Sequence, residues 1–136
     1  MVDQLDRKII DLLKLNSRAS FVEIGKQVAL SPSSVRERIQ KLEENQVILG
    51  YGLKLNQKKL GNGLEVFILF KLYSGKLKLF VEQLDQFSEI KESYRITGGF
   101  NICMYVLLED QLHLQRFIDE LLHFGEPTTH LILSEL

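Results

Sequence analysis

The residues with the most chemistry to offer lie in one short run. Ser31, Pro32, Ser33 and Ser34 are followed by Arg36, Glu37, Arg38, Gln40 and Lys41. Small hydroxyls and an amide can donate to and accept from the edges of nucleobases, and cations can neutralise phosphates. Read as a helix at about 100° per residue, the run places Val35, Ile39 and Leu42 on one side. Ser33, Glu37, Gln40 and Glu44 then point the other way. Arg36 falls on one flank, and Arg38 and Lys41 on the other. The expected roles are base edges for Ser33, Ser34 and Gln40, and phosphates for Arg36, Arg38 and Lys41. A helix N-terminus adds its own attraction for a phosphate. The same pattern also suits an ordinary three-helix bundle with a charged outer helix, a reading to which Glu37 and Glu44 belong.

Other chemistries find no comparable cluster. His113, His123 and His130 are spread out, and neither their spacing nor their neighbours suggest metal ligation. Cys103 is the lone cysteine and sits in an apolar run, where a small core residue is expected. No serine, histidine and carboxylate arrangement stands out. No catalytic residue, metal or cofactor is therefore expected.

Three short helices must position the basic run. The first is expected after Asp3, which can cap it, with Leu5, Ile9, Leu12 and Leu13 on one face. The second opens at Ser20, where Glu23 completes a capping box, and carries Phe21, Ile24 and Val28. Ser31 then caps the third, and Pro32 fits its first position, where no N–H is needed. Only Ala29 and Leu30 are left between the last two helices. A short helix, a tight turn and a capped helix make a helix-turn-helix, expected over residues 1–47.

Residues 48–63 read as a connector, with extended segments broken by Gly50, Gly52, Gly61 and Gly63 and made basic by Lys54, Lys58 and Lys59. Beyond it, residues 64–136 read as a second domain. The apolar run EVFILFKLY predicts a strand. Leu77, Phe80, Val81 and Leu84 predict a helix ending near Phe87, and residues 93–97 and 102–108 predict two more strands across the turn GGFN. Asp110 can cap a second helix. Pro127 stops helical continuation, and residues 129–133 predict a final strand. The order β-α-β-β-α-β is ferredoxin-like and gives an α+β fold, with both helices on one face of an antiparallel sheet. The strands carry apolar residues toward the open face as well, so a second copy of the sheet is the expected cover, in a two-fold homodimer.

The chain has 136 residues, 45% of them hydrophobic and 26% charged, with a net charge of −1. That charge is unevenly spread: +1 over residues 1–47, +5 over 48–78 and −7 over 79–136. A polyanion is expected to meet the first half and avoid the second. No apolar run is long enough to span a bilayer. The start MVDQLDRKII has no signal-peptide core, so a cytoplasmic location and no membrane partner are expected.

Taken together, LDRKIIDLL, SFVEIGKQVALSPSSVRERIQKLEENQVI, GYGLKLN, YRITGGFN and TTHLILSEL resemble the Lrp/AsnC family of prokaryotic transcription regulators over essentially the whole chain. The resemblance implies a winged-type helix-turn-helix followed by a RAM-type ferredoxin-like domain. It implies dimers that assemble further, often to octamers, and double-stranded DNA as partner. It implies an amino acid effector near the β-hairpin turn, here Gly98, Gly99, Phe100 and Asn101, with Thr128 and Thr129 at the start of the last strand. The chain departs from the family at Asn101, where an acidic residue is common, and at Gly99, where a polar or acidic one is frequent. An ammonium would lose its ion-pair partner there. A regulator modulated by a small molecule is the leading expectation. An architectural DNA-binding protein without an effector is the second. A decarboxylase of the haem-pathway type acting on a tetrapyrrole is a third, disfavoured by the few cations after residue 78, which are Lys91, Arg95 and Arg116.

Overall fold

A computed structural model describes residues 1–136, which divide into two compact units, Met1–Lys54 and Leu55–Leu136. The first holds three helices: α1 (Gln4–Leu15), α2 (Phe21–Val28) and α3 (Pro32–Glu44). The expected capping box forms, and the expected Asp3 cap turns out to be part of a second one. Ser20 accepts from the backbone N–H of Glu23, and Glu23 accepts from that of Ser20. In α1 the box is made of two aspartates, Asp3 and Asp6, each accepting the other's backbone N–H. Ile9, Ile24, Val28, Val35 and Ile39 form the core, with Leu42 also buried.

The turn between α2 and α3 is made by two backbone features. Ala29 closes α2 in the left-handed region (φ 55°), and the Leu30 N–H donates to the Gly25 carbonyl at 3.0 Å. A Cβ on Gly25 would lie 2.5 Å from the Leu30 carbonyl oxygen, so only glycine lets the chain fold back this tightly. After α3, residues 47–56 form no hydrogen-bonded strand within the chain. The expected extended segments are therefore not part of a sheet within the chain, and Leu49 and Leu53 are 88% and 84% exposed. A 3₁₀ turn follows at Gln57–Leu60.

The second unit is a four-stranded antiparallel sheet in the order β2-β3-β1-β4. Its strands are β1 (Leu64–Leu72), β2 (Ile90–Arg95), β3 (Ile102–Leu108) and β4 (Gly125–Leu131), and its helices are α4 (Leu77–Gln83) and α5 (Gln111–Leu121). Val66, Ile68 and Phe70 of β1 alternate inward with Ile102, Met104 and Val106 of β3. They meet Phe80, Phe117 and Leu121 in a single core, so both helices cover one face. Phe70, Phe80, Phe87, Phe117 and Phe124 fill it with ring centroids 5.2–6.1 Å apart, mostly edge to face.

Two strand boundaries differ from expectation. β2 starts at Ile90 and ends at Arg95. It is an edge strand paired only to β3, with an irregularity between Ile90 and Glu92, and its polar residues concealed its start. β4 starts at Gly125 and takes Pro127 into the ladder opposite Phe70. An edge strand tolerates proline because only one side of it must donate.

Candidate nucleic-acid interface

The helix α3 is anchored as its pattern required. Val35, Ile39 and Leu42 are at most 5% exposed, while Ser33, Arg36, Gln40 and Lys41 face solvent. Ser34 and Arg38 are half-buried. The outward face is thus available along the helix.

At its N-terminus three hydroxyls interlock. The Ser31 Oγ accepts the Ser34 N–H at 3.2 Å and donates to the Ser34 Oγ at 2.8 Å. The Ser31 and Ser33 hydroxyls lie 3.1 Å apart. Because Ser31 has one proton, given to Ser34, Ser33 must donate to Ser31. Ser33 is left as an acceptor toward solvent, and Ser34 keeps a hydroxyl proton to give. The two serines expected at base edges therefore present opposite hydrogen-bonding faces.

The cations divide into three situations. Arg36 is exposed and takes part in no ion pair. Lys41 pairs with Glu37 at 3.3 Å across one helical turn, with both side chains more than half exposed. Such a pair is weak and easily opened. Arg38 is different. Its Nη1 donates to Asp3 Oδ2 at 2.7 Å and to Asp6 Oδ1 at 3.0 Å. The hydrogen bonds from Asp3 and then Asp6 hold the guanidinium above its ordinary pKa, and the Arg38 bond holds the Asp3 carboxyl below its own. Gln40 donates to Glu44 at 3.0 Å and keeps its amide oxygen free. The Asp3 and Asp6 contacts of Arg38 escaped the sequence reading. Their signal was two aspartates at capping-box spacing, of which only Asp3 was read, as a helix start.

The residues expected around an effector fall at the β2–β3 hairpin and within β4. Gly98, Gly99 and Asn101 are exposed at the tip of the β2–β3 hairpin, with Phe100 half-buried. Gly98 takes φ 107°, which favours glycine. Asn101 helps to close this end of the sheet. Its N–H donates to Phe70 at 2.8 Å, and its Oδ1 accepts the Leu72 N–H at 2.7 Å. Thr128 and Thr129 lie within β4, opposite Leu69 and Ile68, rather than at its start.

On the open face of the sheet, Phe67 and Tyr94 are about half exposed, beside Leu69, Cys103 and Tyr105. The Tyr105 hydroxyl donates to Glu65. Burial first, and then that bond, push its pKa up to about 12.

Comparison with known proteins fits both units. Residues 2–43 match the AsnC-type helix-turn-helix domain, and residues 65–136 match the Lrp/AsnC ligand binding domain. The HTH-type transcriptional regulator LrpC of Bacillus subtilis is 32% identical over 135 residues, covering 99% of this chain and 94% of LrpC. Its solved structure superposes with a TM-score of 0.92 over 100% of this chain and 97% of that one. The HTH-type transcriptional regulator Ptr1 of Methanocaldococcus jannaschii is 34% identical over 122 residues, covering 88% and 81% of the two chains. A transcriptional regulator of Neisseria meningitidis, NMB0573, solved as a complex with L-methionine, is 25% identical. Its TM-score is 0.92, over 100% of this chain and 92% of that one.

Proposed function

The chain belongs to the Lrp/AsnC family of helix-turn-helix transcription regulators, and from that premise we propose how its own residues read DNA and answer a ligand. The observation that carries the reading is α3. Its apolar seam is buried on Val35, Ile39 and Leu42 while Ser33, Arg36, Gln40 and Lys41 stand in solvent. A helix held this way fits a major groove with its N-terminal residues toward the bases. Ser33 accepts from a base amino group, and Ser34 donates to a base carbonyl or ring nitrogen. The Gln40 amide oxygen adds an acceptor. Arg36 and Lys41 meet phosphates on either side, with Lys41 exchanging Glu37 for the backbone. Arg38, expected among the phosphate contacts, enters with its Nη1 already committed to two carboxylates.

The functional unit is a homodimer formed by the open sheet face, assembling further to a higher oligomer such as an octamer. Phe67, Leu69, Tyr94, Cys103 and Tyr105 support that reading, since a monomer leaves them in water. The domains are 1–47 for DNA, 48–63 as connector and 64–136 for assembly and effector, in a cytoplasmic protein without catalytic activity. No helix is long and apolar enough to cross a membrane.

The effector reading places a small carboxylate on the N–H groups of Gly98, Gly99 and Phe100, which are not drawn into the backbone bonds that close the turn. Thr128 and Thr129 complete the site in the assembly. An amino acid there meets no charged partner for its ammonium, because Asn101 is neutral and its Oδ1 already accepts from Leu72. That observation favours a second reading, an architectural DNA-binding protein without an effector. A rise in melting temperature on adding L-methionine or another amino acid supports modulation. No response to any of the twenty supports the architectural form.

The DNA reading is tested by anisotropy of a labelled duplex at several salt concentrations. Affinity is expected to fall steeply with salt, and Arg36→Ala is expected to lower the slope of log K against log salt by about 0.9 for the lost phosphate. Binding that ignores salt overturns the reading.

A further inference from the structure

The ion cluster behind α3 links two helices by committing the Nη1 of Arg38 to two carboxylates. Asp3 puts Oδ1 on the Asp6 N–H at 2.8 Å and Oδ2 on Arg38 at 2.7 Å. Asp6 puts Oδ2 on the Asp3 N–H at 3.0 Å and Oδ1 on Arg38 at 3.0 Å. Each carboxylate thus spends one oxygen on the start of α1 and the other on α3. Asp6 is the one charged side chain buried in the core, 8% exposed. Without Arg38 it would be a buried charge beside a second carboxylate, which is a costly arrangement. One cation against two carboxylates leaves the group at a formal −1, so at a distance it repels a polyanion.

The apolar seam of α3 supplies the other half of the argument. Contacts of Val35, Ile39 and Leu42 hold the helix to the domain, but apolar burial is not directional. It fixes which side of α3 faces inward but supplies no directional bond to set the fine rotation of the helix about its own axis. A guanidinium bridging two fixed carboxylates is directional, because its N–H groups lie in a rigid plane. Arg38 is therefore placed to set the angle at which Ser33, Ser34 and Gln40 are presented.

We propose that Arg38 is a positioning residue for recognition and not a phosphate ligand: held by Asp3 and Asp6, it fixes the rotation of α3 against the start of α1. This rests on the assignment of α3 as the reading helix. It predicts that sequence preference depends on the Asp3–Asp6–Arg38 cluster, whereas the number of phosphates neutralised does not.

The test uses the full chain and two duplexes of about 40 bp, one of mixed sequence and one selected for binding from a randomised pool. The main variant is Asp3→Ser/Asp6→Gln/Arg38→Met. It keeps a capping box of the Ser-x-x-Gln kind and replaces the ion cluster with an apolar stem. Expected is an unchanged salt slope and an unchanged or slightly higher affinity for the mixed duplex. Preference for the selected duplex should drop about tenfold, the loss of roughly one good base contact. A slope lower by about 0.9 would make Arg38 a phosphate ligand and overturn the proposal. So would an unaltered preference. Should the triple variant not fold, Asp3→Asn keeps a capping side chain and Arg38 while freeing one donor. An unchanged slope supports the proposal, and a steeper one overturns it by showing Arg38 captured by phosphate. Wild-type protein that shows no salt-dependent binding would instead sink the assignment of α3 itself.

Discussion

Arg36 and Arg38 stand two positions apart on one helix in different surroundings, and the proposals above give them different work. The 100° rotation per residue puts them on opposite flanks. One flank opens to solvent and the other faces the start of α1, where Asp3 and Asp6 wait. The cluster has a pH signature with a definite sign. The Asp3 carboxyl is held below its ordinary value by the Arg38 bond. A depressed folded pKa means that its contribution is fully present above the unfolded carboxylate value and is lost as pH falls through the folded one. Melting curves of wild type and Asp3→Asn, taken from neutral pH down to about 2.5, are expected to converge in acid. Parallel curves over that range would show that the Asp3 charge stabilises nothing. Asp3 was legible in the sequence as a helix start, and Asp6 was not singled out. Their shared hold on Arg38 was not legible, because a contact across 32 or 35 positions leaves no periodic trace.

Among the elements, the N-terminus of α3 joins a helix cap to the proposed reading residues through one hydroxyl. Ser31 caps the helix and orients both Ser33 and Ser34. Ser31→Ala is expected to cost about 1 kcal/mol of stability, as a lost cap does. It should also cut discrimination between duplex sequences, because the two reading hydroxyls become free to rotate. Denaturant titration measures the first effect, and paired anisotropy titrations the second. Retained discrimination would mean that the hydroxyl interlock has no part in reading. The turn before α3 was legible as two residues between start signals, but its mechanism was not. The close approach of Gly25 to Leu30 requires the third dimension. The strands show the same division. β1 and β3 are central and mostly apolar, so β3 matched its expected bounds of 102–108. β2 and β4 lie at the edges, where solvent admits Lys91, Glu92 and Pro127, and there the starts were misplaced.

For the whole molecule the deciding feature is the uncovered sheet face. This 15.7 kDa chain leaves Phe67 46% exposed beside Tyr105, with the rings 5.7 Å apart, on the face proposed above to meet a second copy. Phe67→Asp is expected to shift the mass measured by light scattering toward the monomer and to weaken DNA binding by more than tenfold. The second loss follows because two linked reading heads bind far more tightly than one. A variant that keeps the wild-type mass would place the interface elsewhere. The charge partition works in the same direction, with the acidic last segment suited to protein contacts and the basic residues gathered before residue 79.

Local signals determined a great deal. Capping serines and aspartates, apolar spacing and glycine turns lie within a few residues of what they control, so the helix-turn-helix and the β-α-β-β-α-β order could be written down from the chain alone. Family membership followed from the same strings of residues. Side-chain partnership was decided only by the tertiary structure. The pairing of Arg38 with two aspartates at the start of α1, the capture of Asn101 by Leu72, and the depth of Thr128 within β4 all depend on which distant groups packing brings within hydrogen-bond reach. Linear order carries the periodicity of each element, but the distances between elements exist only after the chain has folded.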